Sequence, residues 1–159
     1  MNEVTVLDMC CSSRMFWFNK QDTRAVFADI RAEAHTLCDG RRLVISPDLI
    51  ADFRALPFAD ASFPVVVFDP PHLERVGQSA WMGKKYGLLN KKTRRSDLRA
   101  GFKEAFRVLR AHGVLIFKWN ETQIPVSQIL ALTDVKPIIG QRTGKGDKTH
   151  WIIFVKEAE

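Results

Sequence analysis

The chain contains no run of 18 apolar residues and no basic leader followed by an apolar stretch, which argues against a membrane span and a secretory signal. Its three cysteines are odd in number and two are adjacent, so they make no disulfide framework. A reducing, cytoplasmic setting is therefore predicted. Cys10, Cys11, His35 and Cys38 lack the Cys-x-x-Cys knuckle that zinc sites prefer, and no metal is expected. No internal repeat and no flexible linker divides the 159 residues, which predicts a single domain long enough to hold a core without staples. Glycine is missing from the turn after the first apolar segment: Cys10 to Arg14 stand there, and such residues resist a positive φ.

What is present is concentrated at Val65-Val66-Val67-Phe68-Asp69-Pro70-Pro71-His72. Four consecutive apolar residues read as a strand buried on both faces, and two prolines that donate no ladder hydrogen bond end it at Asp69. A carboxylate and a carbonyl preceding a proline both accept hydrogen bonds from an exocyclic amine, and an imidazole offers a face for stacking on a planar ring. The bland alternative is a proline turn after a core strand, with Asp69 capping a neighbouring helix. Residues 75–110 hold eleven basic residues against Asp97 and Glu104, a net +9 within a chain whose total is +6. Such a segment fits a polyanionic partner, because phosphate neutralisation dominates nucleic-acid affinity, although a solvated helix face would read similarly.

The predicted order of elements alternates. A strand over Val4–Leu7 ends at Asp8, Ser12 and Ser13 cap a short amphipathic helix through Arg14 to Phe18, and a strand over Arg24–Ala28 ends at Asp29. Leu43 to Ile45 is a strand or an extended connection after the Asp39-Gly40 turn, and Pro47-Asp48 opens a short helix. Beyond Asp69, Ser96 caps a helix with Leu98, Phe102, Ala105, Phe106 and Leu109 at helical spacing, ending near Gly113. Val114–Trp119 is a buried strand, Val126–Leu132 a short helix, and Pro137–Gln141 and His150–Val155 a hairpin joined by residues 142–149. This pattern predicts an α/β fold: a mainly parallel sheet with an antiparallel last strand and helices on both faces.

In such sheets ligands sit beyond the carboxyl ends of the strands. Asp8, Asp29, Asp69 and Trp119 fall at those ends, and the acids Asp8 and Asp29 are separated as in units that hold a nucleotide-like ligand. Val6 to Arg14 resembles the first motif of class I S-adenosylmethionine-dependent methyltransferases, Ala51 to Phe63 is similar to their adenine-pocket segment, and Asp69-Pro70-Pro71-His72 resembles the fourth motif of amino-methyltransferases, with a general likeness to the short enzymes of phages and prophages. In that family Cys10, Ser12 and Arg14 would be glycines, and His72 a larger aromatic. The resemblance implies a Rossmann-like fold with S-adenosyl-L-methionine as cofactor. Asp8, Cys10, Cys11 and Ser12 would border its methionine part, Asp29 with Ile30 its ribose, Asp52 and Phe53 its adenine, and Asp69 to His72 the target amine.

The sequence reading is thus an enzyme that methylates an exocyclic amine of a nucleobase, with Asp69, Pro70 and His72 orienting the amine. Trp81, Lys84, Lys85, Tyr86, Lys91, Lys92, Arg94, Arg95 and His150 would contact an RNA or DNA substrate. An alternative groups Asp69, Lys118 and His150 as a lysine-acid arrangement that activates a ribose 2′-hydroxyl. Another is a degenerate domain of the same fold that only binds nucleic acid. No separate target-reading domain is predicted, which leaves that task to a helper subunit, a second copy of the chain, or the shape of the substrate itself.

Overall fold

A computed structural model describes residues 3–74 and 87–158. β1 (Val6–Asp8), β2 (Ala25–Asp29), β5 (Leu49–Ile50), β6 (Phe63–Phe68), β7 (Leu109–Asn120), β8 (Ile139–Thr143) and β9 (Thr149–Val155) form one sheet in the order β5-β2-β1-β6-β7-β9-β8. The pairs among β5, β2, β1, β6 and β7 are parallel, and β9 runs antiparallel to both β7 and β8. A separate antiparallel hairpin, β3 (Glu33–Thr36) with β4 (Arg42–Ile45), occupies the stretch whose character the sequence left open. The long helix α1 (Arg94–Val108) and the one-turn helix α2 (Val126–Leu130) complete the regular structure, apart from a 3-10 turn at Lys145–Asp147 in the last hairpin.

β2 and β6 each end in three consecutive buried residues, so the middle of the sheet is covered on both faces at its carboxyl edge. On β9, and on β7 from Gly113 onward, every second residue is buried while its neighbours are half-exposed, the signature of strands with one deeply covered face. That face carries Leu7, Val66, Phe68, Leu115, Phe117 and Phe154, packed with Leu98, Phe102 and Ala105 of α1 and Ile129 of α2 in one core. Where the sequence predicts helices on both faces, the second face is met among the described residues by a turn-rich segment instead. Trp17 packs edge-on to Phe27 at 4.8 Å and Phe16 edge-on to Trp151 at 5.4 Å.

Three local differences have clear causes. The helix expected over Arg14–Phe18 is absent because Ser12 and Arg14 both take left-handed backbone conformations, φ 48° and 59°, which interrupt any right-handed helical run, and because Asn19 and Asp22 side chains accept from nearby backbone N–H groups. Residues after Pro47 pair with β2 as the two-residue strand β5 rather than opening a helix. α1 starts after Thr93, three residues before the expected cap at Ser96, and it stops at Val108 because Leu109 turns extended to pair with Phe63. No helix among the described residues is long and apolar enough to cross a membrane.

α1 lies close to the sheet because of Gly101. A Cβ there would stand 2.5 Å from Phe68 Cζ and 2.8 Å from Phe53 Cδ2, so a larger residue would drive the helix off its seat. Gly101→Ala is expected to lower stability by about 1–2 kcal/mol in denaturant unfolding even though alanine is the better helix former, because the steric penalty outweighs the propensity gain.

Candidate functional site

The chain runs outward from β1 to β2 and β5, then returns past β1 to β6, so β1 and β6 flank the point where connections diverge to opposite sides. A cleft of about 260 Å³ opens there. Its walls come from the carboxyl ends of four strands: Met9 to Ser12 after β1, Asp29 to Arg31 after β2, Ala51 to Arg54 after β5 and Asp69 to Pro71 after β6, with residues 87–90 and Asp97 closing one side.

The turn after β1 is held like a continuation of the sheet. Met9 N–H donates to Val67 O at 3.1 Å and Cys11 N–H to Ala28 O at 2.8 Å. Ser12 N–H then donates to Asp29 Oδ2 at 2.8 Å, while Arg31 N–H donates to Asp29 Oδ1 at 2.9 Å. Asp29 Oδ1 also pairs with Arg31 Nε at 3.7 Å, and Oδ2 keeps a further lone pair for a ligand hydroxyl. Beside this buried acid, Ile30 is 62% exposed on the cleft wall. An apolar face adjoining a hydroxyl-accepting carboxylate fits a planar ring joined to a sugar.

Glycine is dispensable in the turn because its two left-handed residues are held from outside. The Arg14 guanidinium donates to Lys20 O at 2.5 Å and Ser46 O at 2.7 Å, pairs with Asp48 at 3.6 Å, and stacks 3.8 Å over the Phe27 ring. These contacts offset the roughly 1–2 kcal/mol that a left-handed non-glycine residue costs. Cys10 and Cys11 both line the cleft, Cys11 being the more deeply buried of the two. Burial pushes the Cys11 thiol up to about 12 and the Cys10 thiol well above its ordinary value, so both stay neutral.

Asp8 is fully buried. Trp17 Nε1–H donates to its Oδ2 at 2.8 Å, and Oδ1 has no hydrogen-bond partner among the described residues. Burial lifts its carboxyl to about 7, the Trp17 bond opposing and the nearby charge of Asp69 reinforcing the shift. Asp69 is raised to about 6 by burial, with Lys118 Nζ, 3.7 Å away, pulling the other way. That lysine sits between two rings, 5.5 Å from the Phe16 centroid and 5.3 Å from that of Trp151. The sequence marked Lys118 but not its aromatic cage, which strand register and the irregular segment at Phe16 assemble together.

On β5's far side, Asp52 accepts from Arg54 Nε and Nη2 at 3.0 and 2.6 Å, which holds its carboxyl below the usual range, and Arg54 also reaches Asp97 at 3.2 Å. Phe53 lines the cleft with its ring edge-on to Phe68 at 5.3 Å. Arg31 and Arg54 went unmarked in the sequence, although each follows a site acid by two residues.

Other expected contacts fall elsewhere. His72 is buried at 8% exposure, edge-on to Trp119 at 6.2 Å, and does not line the cleft; burial lowers its imidazole to about 4, so it is neutral. Pro71, not His72, presents a flat face there. His150 pairs across the ladder with Trp119, and Lys118 with Trp151, so side-chain alternation puts His150 and Lys118 on opposite faces of the sheet. The Asp69–Lys118–His150 grouping is therefore divided. His150 Nε2 lies 2.9 Å from Glu121 Oε1 instead. Arg94 is ion-paired with Glu74, while Lys91, Lys92 and Arg95 are exposed. Trp81, Lys84, Lys85 and Tyr86 lie outside the described residues.

The chain matches no protein-family model and no curated protein sequence. Its architecture does have counterparts among solved structures. It superposes with TM-score 0.62 on the PH0226 protein of Pyrococcus horikoshii, at 16% identity over 96% of this chain and 82% of that one. The N-methyltransferase NodS of Bradyrhizobium japonicum aligns at TM-score 0.61 and 12% identity over 97% of this chain and 86% of the other. A SAM-dependent methyltransferase from Methanosarcina mazei aligns at 0.57 and 11% over 99% and 95%. The fold is that of the class I methyltransferases. The cleft thus lies at the sheet edge where that fold's ligands are expected from topology alone.

Two measurements follow from the turn and the buried acid. Arg14→Ala and Arg14→Gly both lose the external clamp, but glycine regains a relaxed left-handed backbone, so the alanine variant is expected to be less stable by about 1 kcal/mol in chemical denaturation. Asp8 titrates near 7 when folded and near 3.8 when unfolded, so the folded state holds an extra proton in between; its stability contribution is complete below pH 3.8 and is lost as pH rises through 7. Asp8→Asn, which never ionises, is expected to be more stable than wild type at pH 8, by up to about 4 kcal/mol in chemical denaturation, with the gap closing at pH 4.

Proposed function

We propose that this protein is an S-adenosylmethionine-dependent methyltransferase that acts on an exocyclic amino group of a nucleobase. The observation that carries the reading is the convergence of Asp29, Ile30, Phe53 and Asp69-Pro70-Pro71 on one cleft at the switch point of the sheet. The residues fit the cofactor. Asp29 would take its ribose hydroxyls, Ile30 and Phe53 the faces of its adenine, and the Met9–Ser12 turn its amino-acid part. The acidic lining of Asp29, Asp52 and Asp69, with Asp8 buried just behind, suits a ligand bearing two positive charges. When bound, that cofactor supplies an electrophilic methyl group on a sulfonium.

The chain's own residues have mostly to position the acceptor. Asp69 and the Pro70 carbonyl accept hydrogen bonds from the amine N–H groups, which turns the nitrogen lone pair toward the cofactor side of the cleft. The Asp69 carboxyl, with a pKa of about 6, is basic enough to hold the proton the amine releases and acidic enough to return it to solvent. Lys118 keeps Asp69 from rising further, and the rings of Phe16 and Trp151 hold Lys118 in place. Pro71 offers the substrate ring a rigid apolar surface in the place first expected for His72. The division of Lys118 from His150 weighs against the ribose-hydroxyl alternative. The left-handed Ser12 and Arg14, which reproduce a glycine-like turn, weigh against the degenerate-domain alternative.

Calorimetric titration with S-adenosylmethionine is expected to show one site per chain, with affinity increasing from pH 5.5 to pH 8 as Asp69 and Asp8 ionise. Absence of binding would sink the enzyme reading. With a nucleic-acid pool as acceptor, Asp69→Ala should lower methyl transfer by about 100-fold or more, well beyond the weaker cofactor binding that loss of one lining charge brings. Mass spectrometry of the nucleosides after reaction would identify the base and the atom, and methylation of a hydroxyl would refute the amine assignment.

A further inference from the structure

α1 carries charge of opposite kinds on its two flanks. Asp97 and Glu104 point toward residues 52–60, where Asp97 meets Arg54 and Thr93, and Glu104 meets Arg107 and the Leu56 N–H. On the other flank Arg95, Arg99 and Lys103 recur every fourth residue, all exposed, and Lys91 and Lys92 extend them toward Asn90 on the cleft wall. None of these five cations is ion-paired with an acid among the described residues, and residues 75–86 contain no acid to pair with them. Among the described residues, local neutralisation is thus confined to one side of the helix. A folded protein gains nothing in stability from an unpaired like-charged row at four-residue spacing, which is mildly destabilising.

We propose that this row is the track for the phosphate backbone of a single-stranded polynucleotide, which it leads along α1 to the mouth of the cleft. Residues four apart on a helix rise about 6 Å, comparable to the step between phosphates of an extended strand. A single strand fits better than a duplex for two reasons. Among the described residues the row is a single line of charges along one helix flank, suited to following one backbone rather than to entering a groove. A base in a single strand is also free to leave its stack at little cost, whereas a duplex must first be opened to deliver an amine to a recessed carboxylate. Backbone contacts of this kind position a strand without reading its sequence, so the track supplies affinity and direction, and the cleft supplies choice of base. The proposal rests on the functional reading above but fails separately from it.

The test uses the full chain and the triple variant Arg95→Ala/Arg99→Ala/Lys103→Ala. Fluorescence anisotropy would follow binding of one labelled sequence as RNA, as single-stranded DNA and as duplex DNA, between about 50 and 200 mM salt. Wild type is expected to bind single strands more tightly than duplex, and the RNA and DNA arms show which sugar it accepts. The variant should bind single strands at least tenfold more weakly at low salt, and its slope of log affinity against log salt should be shallower by about 2, three phosphates at about 0.7 each. Unchanged affinity and slope in the variant, preference for duplex, or binding only to phosphatidylserine vesicles run in parallel would each overturn the track. S-adenosylmethionine titration of both proteins separates the two readings. Retained cofactor binding with no strand binding removes the track alone, and strand binding without cofactor binding removes the enzyme alone.

Discussion

Phe68 is the residue on which the arrangement turns. Its ring meets Phe53 and Phe102 edge-on at 5.3 and 5.4 Å and leans on Phe117 at 5.8 Å, which ties β6 to the segment after β5, to α1 and to β7 at one point. Each aromatic contact is worth about 0.5–1.5 kcal/mol beyond its burial, but position matters more here than energy. Phe68 is the last residue of β6, so anchoring its ring in the core fixes the next residue's direction as well. Asp69 must point to the other face, toward Lys118. Phe53 is pinned at the cleft by the same ring, and the hollow at Gly101 lets α1 approach closely enough for Phe102 to reach it.

The site is therefore built from strand parity. Residues one step apart at the end of β6 and on β7 serve opposite sides: Phe68 and Phe117 belong to the core, Asp69 and Lys118 to the other face. The same parity removes His150 from Lys118, since its ladder partner is Trp119. Once in place, the acids are kept unusual by burial. Asp8 is shut away from water and Asp69 is half-buried at the cleft wall, and the Lys118 ammonium offsets the burial of Asp69 only in part, so both carboxyls are raised. A cationic ligand would supply what the protein withholds. The lowered stability that buried acids bring at neutral pH is consistent with a site shaped for a ligand rather than for the fold alone.

The second face and the turn after β1 show how a rule is met by other means. A helix is the usual cover between the first two strands of this architecture, but here Phe16 and Trp17 lie on the sheet from an irregular segment. The positive φ angles that glycine would supply occur at Ser12 and Arg14, held by the Asp29 carboxylate and by the four contacts of the Arg14 guanidinium. The cost of the turn has been moved from backbone freedom to side-chain anchoring.

The sequence by itself determined the strands that end in Asp8, Asp29 and Asp69, the mainly parallel sheet, the closing hairpin and the basic character of α1, because runs of β-branched residues, proline stops and helical spacing are local signals. The grouping of Asp29, Asp52 and Asp69 at one edge was legible too, since strand ends converge whenever alternation makes a sheet parallel. The tertiary structure alone decided which side chains face the cleft. His72 turned to Trp119, Arg94 to Glu74, Lys118 into its aromatic cage, and Ser12 and Arg14 into left-handed backbone. Each depends on register across strands or on a partner tens of residues away, and neither leaves a trace in the spacing of neighbouring residues.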